Sequence, residues 1–184
     1  MRAYLAGAIQ GSDDGGAGWR KQFAEALRQL KIDYIDPVDE DIKAYGNARI
    51  AHAIIDTDPS SILKVQEEIR PRIDRDIAAV LDCDFVVAYY DKAVSRGAGT
   101  QGEITLAYAA MRPAYILCGK DTKVSEIPFW IIGCATEIFT DPKDLLHYIA
   151  VKYPQPREPL ITAPVYGSPQ PHVIDAMLVE EPDA

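Results

Sequence analysis

Positive charge is scarce in this chain: 19 lysines and arginines face 28 aspartates and glutamates over 184 residues, a net charge of −9 at neutral pH. Such a surface repels phosphate backbones and anionic headgroups, so nucleic acid and acidic membranes are poor partners and small molecules better ones. Long apolar runs are missing as well. No stretch approaches the roughly 18 apolar residues of a membrane span, and residues 1–9 are too short for a secretory leader. The expectation is a soluble, cytoplasmic chain with no membrane partner. Cysteine is rare. Cys83, Cys118 and Cys134 have no C-x-x-C spacing and adjoin apolar segments, which reads as buried thiols rather than disulfides or zinc ligands. The three histidines, His52, His147 and His172, lie far apart on ordinary segments. No G-x-S-x-G is present, and Gly119-Lys120 runs into Asp121 without the upstream glycine, so neither a serine hydrolase nor a phosphate-binding P-loop is indicated. The acidic pairs Asp13/Asp14, Asp56/Asp58 and Asp82/Asp84 are explained by caps and turns more simply than by a metal, and none is expected.

What is present is a regular alternation of short apolar runs and amphipathic helices, with 48% hydrophobic residues and length for one core. Residues 2–8 read as a first strand, followed by a loop rich in glycine and aspartate. Trp19, Phe23, Ala26, Leu27 and Leu30 recur at helical spacing between Arg20, Lys21, Glu25 and Arg28. Residues 32–37 form a second strand stopped by Pro37. Residues 38–58 resist assignment beyond a short helix over 48–55. Asp58-Pro59 then opens a helix to about Leu81, in which Pro71 predicts a kink or two abutting helices, and Ile73, Ile77, Val80 and Leu81 predict the buried stripe. Residues 85–90 are apolar without alternation, as a strand covered on both faces should be. Further strands are read at 114–118 and 136–139, with a helix over 126–133 between them and a closing helix opened by Asp141-Pro142. The pattern predicts an α/β domain over residues 1–152: a doubly wound, five-stranded parallel sheet in flavodoxin-like order. A proline-rich, extended tail occupies 153–184.

The third strand leads into Gly97-Ala98-Gly99-Thr100-Gln101-Gly102-Glu103. Glycines there permit positive φ and close approach of a ligand to the main chain, and a helix opening at residue 104 would favour an anion. Glu103 is expected in the first helical turn, ionised and pointing at whatever the loop holds. Gly97, Gly99 and Gly102 also satisfy G-x-G-x-x-G, but polar residues separate them from the strand, and that strand is the third rather than the first. In sheets of this kind ligands bind beyond the carboxyl ends of the strands, where Tyr4, Asp76 and Glu103 would converge.

Tyr4-Leu-Ala-Gly-Ala-Ile9, Asp74-Arg75-Asp76 with Asp84-Phe-Val-Val-Ala88, and Gly99-Thr-Gln-Gly-Glu-Ile104 together resemble the nucleoside 2-deoxyribosyltransferase family, including its nucleoside 5′-monophosphate N-hydrolase branch. The resemblance covers residue 4 to about residue 149. It implies cleavage, with transfer or hydrolysis, of the N-glycosidic bond of a (deoxy)nucleoside or nucleotide, without metal or cofactor, in a homo-oligomer. By position it makes Glu103 the nucleophile at C1′, Asp76 the group that protonates or hydrogen-bonds the leaving base, and Tyr4 the residue that orients Glu103. Gly7, Ile9, Ser95, Arg96, Gly97, Gly99 and Thr100 fall where such a site would hold its substrate.

The chain departs from the family's pattern at two places. Six residues before the nucleophile the transferases have an aspartate for the 5′-hydroxyl, and the monophosphate hydrolases a serine; here Gly97 stands there beside Ser95 and Arg96, a setting better suited to phosphate than to a hydroxyl. Pro128 occupies the region of the asparagine that transferases lend to a neighbouring subunit. A nucleotide-binding module without catalysis is the alternative of another class.

Overall fold

The computed structural model describes residues 1–9, 11–12, 14–46 and 59–154, with residues 59 and 60 described in their backbone alone. The readings at His52, Asp13, Asp56, Asp58, the short helix over 48–55 and all of the tail beyond residue 154, His172 included, lie outside the described residues.

The elements follow in the order β1 (Arg2–Gly7), α1 (Ala17–Gln29), β2 (Asp33–Ile35), α2 (Pro37–Tyr45), α3 (Pro59–Asp82), β3 (Phe85–Tyr90), α4 (Gly99–Ala109), β4 (Ala114–Cys118), α5 (Phe129–Cys134), β5 (Glu137–Phe139) and α6 (Pro142–Lys152). The five strands are all parallel in the order β2-β1-β3-β4-β5, the flavodoxin-like order that the alternation predicts. Strand side chains alternate between two covered faces. Ala3, Leu5, Phe85, Val87, Tyr115 and Leu117 pack under α1 and α6. Tyr4, Ala6, Val86, Ala88, Tyr90 and Ile116 pack under α3, α4 and α5. Tyr153 closes the first face, stacked 4.7 Å from Phe85 with its hydroxyl 2.7 Å from that of Tyr115. The three cysteines are free and buried. No helix among the described residues is long and apolar enough to cross a membrane.

Several local expectations change. Pro37 does not merely end a strand; it is the first residue of α2, with the Asp36 carboxylate accepting from the Val38 N–H at 2.9 Å. The identical device, Asp141 accepting from Lys143 N–H at 2.7 Å before Pro142, opens α6 as expected. Helix α3 runs as one element through Pro71 rather than as two. Of the expected stripe Val80 is buried as read, but Ile73, Ile77 and Leu81 are 46%, 41% and 44% exposed; Arg72 faces inward in their stead, and Cys83 is buried just past the helix end. Ion pairing turns the helix: Arg72 and Arg75 both reach Asp41 on α2. Pro128 precedes α5 instead of lying within it.

Candidate active site

Helix α4 starts at Gly99, five residues ahead of the expected start at 104, and takes the glycine-rich stretch into its first turns. Glu103 therefore sits in the second turn, beyond the free N–H groups that would favour its charge. None of Gly97, Gly99 and Gly102 has a positive φ. A Cβ at Gly99 or Gly102 would meet nothing within 4 Å, so these glycines leave open space rather than form a strained turn. The ionised first-turn carboxylate is thus replaced by a different arrangement. The Tyr4 hydroxyl reaches from β1 beneath α4 and donates to Glu103 Oε1 at 2.6 Å. Burial pushes the Glu103 carboxyl up to about 7, a nearby negative charge on Asp76 adds to the rise, and the Tyr4 hydrogen bond and Arg20 oppose it. Tyr4 itself is held well above the usual phenol range by burial and by the Glu103 charge, so it remains a donor. Among the described residues nothing bonds Oε2, which leaves one carboxylate oxygen fixed and the other available to react.

Asp76 lies on α3, near enough for its charge to act on both Tyr4 and Glu103. Its Oδ1 accepts from Arg75 Nε at 3.1 Å and Nη2 at 2.8 Å. Arg75 Nη1 donates to Asp41 Oδ1 at 2.7 Å, and Arg72 Nη1 stands 2.6 Å from Asp41 Oδ2. Burial raises the Asp76 carboxyl above its ordinary value while Arg75 and Arg72 pull it down.

The other residues fall into two groups. Gly7 and Ile9 lie at the carboxyl end of β1; a Cβ on Gly7 would stand 2.7 Å from the Trp19 ring, so packing alone already demands glycine there. Ser95, Arg96 and Gly97 belong to a 3₁₀ turn and its end, and they line a groove with Gln101, Thr105 and Trp130. Gln101 pins this turn by donating to the carbonyls of Val94 and Gly97, both at 3.0 Å. Glu103 lies two residues beyond Gln101, about 200° around the helix, and does not line that groove. Thr100 is buried on α4 and Gly99 exposed beside it. Asp14 takes a turn role, accepting from the N–H groups of Gly16 and Gly18 at 2.8 and 2.7 Å. Among the described residues no cluster of His, Cys, Asp and Glu is arranged to hold a metal ion.

One residue escaped the sequence reading. Arg20 is fully buried, with Nη2 donating to the Gly7 carbonyl at 2.6 Å, Nη1 to that of Gly16 at 2.9 Å, and Nε 3.4 Å from both the Leu5 carbonyl and Asp36. It ties down the end of β1 next to Tyr4, and its charge acts on Tyr4 and Glu103. The signal was available: Arg20 precedes buried Phe23, Ala24 and Leu27 by three, four and seven residues, placing a cation on the helix's apolar stripe.

With the geometry in place, known proteins are informative. Among solved structures, a 2-deoxyribosyltransferase from Bacillus psychrosaccharolyticus superposes with a TM-score of 0.53 at 14% identity, covering 80% of this chain and 92% of that one. The Clostridium botulinum CMP N-glycosidase BcmB matches with a TM-score of 0.44 at 15% identity, over 83% of this chain and 99% of that one. No curated protein sequence matches. A family model described as Nucleoside 2-deoxyribosyltransferase matches residues 3–146, a span that includes Tyr4, Asp76 and Glu103. The chain therefore belongs to the nucleoside 2-deoxyribosyltransferase family, enzymes that transfer or hydrolyse N-glycosyl groups of nucleosides or nucleotides.

Proposed function

We propose that the protein cleaves the N-glycosidic bond of a (deoxy)nucleoside by double displacement and passes the sugar to a second base. Glu103 Oε2 attacks C1′ as the C1′–N bond breaks, and Asp76 gives its proton to the departing base nitrogen. The incoming base then attacks C1′, releases Glu103 and returns a proton to Asp76. The observation that carries this reading is the Tyr4–Glu103 bond at 2.6 Å, which fixes one oxygen of a carboxylate that burial holds at about 7. Such a group is partly ionised at neutral pH, nucleophilic, and aimed by its partner, as covalent capture of an oxocarbenium-like centre requires. The test is incubation with a deoxynucleoside and a different free base. The expected outcome is base exchange together with a sugar adduct on the Glu103 peptide by mass spectrometry. Unchanged turnover by Glu103→Gln would overturn the assignment.

A 5′-monophosphate substrate is the second reading. Gly97 carries no carboxylate to repel a phosphate, and Arg96 stands next to it, exposed. On this reading Arg96→Ala lowers kcat/KM for a monophosphate about tenfold and leaves the plain nucleoside unaffected. Equal values for both substrates in both proteins would remove it. The exposed apolar side chains of α3, α4 and α5, among them Ile73, Ile77, Tyr108, Phe129 and Trp130, form the surface through which we expect a homo-oligomer to assemble.

A further inference from the structure

We propose that Arg75 and Asp41 form a positioning pair for Asp76, in which Arg75 holds one Asp76 oxygen and Asp41 holds Arg75. The proposal rests on the reading of Asp76 as the group that serves the leaving base. The guanidinium uses two nitrogens on a single oxygen, Oδ1, at 3.1 and 2.8 Å. Among the described residues Oδ2 accepts nothing and is left to carry and deliver the proton. The third nitrogen is taken by Asp41 at 2.7 Å. Asp41 is itself anchored: it is buried, its second oxygen meets buried Arg72 at 2.6 Å, and that guanidinium lies 4.2 Å from the centre of the Tyr45 ring. Arg75 is thus fixed from behind by a carboxylate on a different helix, and a partly exposed side chain keeps one orientation.

The arrangement has an electrostatic consequence. The charged or titratable groups acting on Asp76 are Arg75 and Arg72 on α3, Asp41 on α2, Glu103 on α4 and Tyr4 on β1. Arg75 favours the ionised form of Asp76. Asp41 opposes ionisation, both by its own charge and by drawing part of the Arg75 charge away. The two members of the pair therefore push the proton affinity of Asp76 in opposite directions.

The experiment measures kcat/KM against pH, with thermal melting, for wild type, Arg75→Gln, Asp41→Asn, Asp76→Asn and Asp76→Asn/Arg75→Gln. Arg75→Gln is expected to move the acid-side limb up by about one pH unit, and Asp41→Asn to move it down. Arg75→Gln also lowers kcat/KM about tenfold or more through loss of orientation, and this loss should vanish in the Asp76→Asn background. Asp41→Asn leaves buried Arg72 with a weaker partner, so if that variant does not fold, the limb shift in Arg75→Gln and its disappearance in the double variant still decide. Lower melting temperatures with an unmoved acid limb, while Asp76→Asn remains strongly impaired, would overturn the positioning pair alone. Near-normal turnover by Asp76→Asn would overturn the reading of Asp76 beneath it.

Discussion

The two carboxylates of the site are built on opposite principles. Among the described residues Glu103 has one phenol for a partner, and burial governs it, bringing it to about 7. Asp76 is also desolvated and raised by it, yet it sits at the end of a chain of alternating charges, Arg72, Asp41, Arg75, Asp76, whose arginines oppose that rise. The lesson concerns division of labour: identical functional groups acquire different proton affinities because one is desolvated beside a single phenol and the other is desolvated beside arginines. Asp76 is the stronger acid of the two. The productive form on the proposed mechanism, Glu103 ionised and Asp76 protonated, is then a minority species, and the two groups titrate as a pair. Activity should rise as the first proton leaves the pair and fall near pH 7 as the second leaves.

Removing each carboxylate breaks the comparison most severely. Glu103→Gln should cost roughly a thousandfold or more in kcat, since no other described side chain takes its place at Tyr4, and the variant should retain the wild-type fold by circular dichroism. Asp76→Asn should cost about 10²- to 10⁴-fold, most for bases that leave only when protonated. The pH profile should also change shape. With one titrating carboxyl left, activity climbs as Glu103 ionises, at a pH below that in wild type because the Asp76 charge is gone, and then stays level. A bell that survives in Asp76→Asn would mean that Asp76 does not supply the proton.

The sheet order, the strands and the cap at Asp141 were legible in the sequence because they depend on local chemistry and periodicity. The same grammar was present at Asp36-Pro37, where a preceding strand drew the proline into the role of a stop. Helix α3 shows a harder limit. Ile73, Ile77 and Leu81 have helical spacing, and so do Arg72, Asp76, Val80 and Cys83; periodicity offers both rows and cannot choose. The choice is made by Asp41, distant in sequence, which draws Arg72 and Arg75 inward. The motifs point to Glu103, Asp76 and Tyr4, but Glu103 differs in electrostatic character from the ionised first-turn carboxylate they suggest, because α4 begins earlier than its glycines imply and carries the carboxylate past the helix end.

A smaller effect separates the carboxylates in stability rather than rate. Below about pH 4.5 Glu103 is protonated whether the chain is folded or not. Between there and 7 the unfolded chain ionises while the native Glu103 keeps its proton, so stability falls as pH rises, and above 7 the loss is complete. Its size is about 3 kcal/mol for a rise from 4.5 to about 7. Glu103→Gln should therefore match wild type in urea denaturation at pH 4 and exceed it at pH 8. The corresponding exchange at Asp76 should gain less, because Arg75 and Arg72 already compensate its charge.

The smallest expected effect sharpens the contrast from the Glu103 side alone. Tyr4→Phe removes the one hydrogen bond among the described residues that favours the ionised form of Glu103 and keeps the ring that fills the core. The Glu103 carboxyl should rise further, so the alkaline limb of kcat/KM should move up by as much as about one pH unit. The acid limb, which follows Asp76 and its arginines, should stay in place. The rate should drop about ten- to a hundredfold, the value of one hydrogen bond to a charged group. A shift of both limbs would show that Tyr4 couples the carboxylates instead of serving one, and a shift of neither would mean that the 2.6 Å bond does not set the ionisation of Glu103.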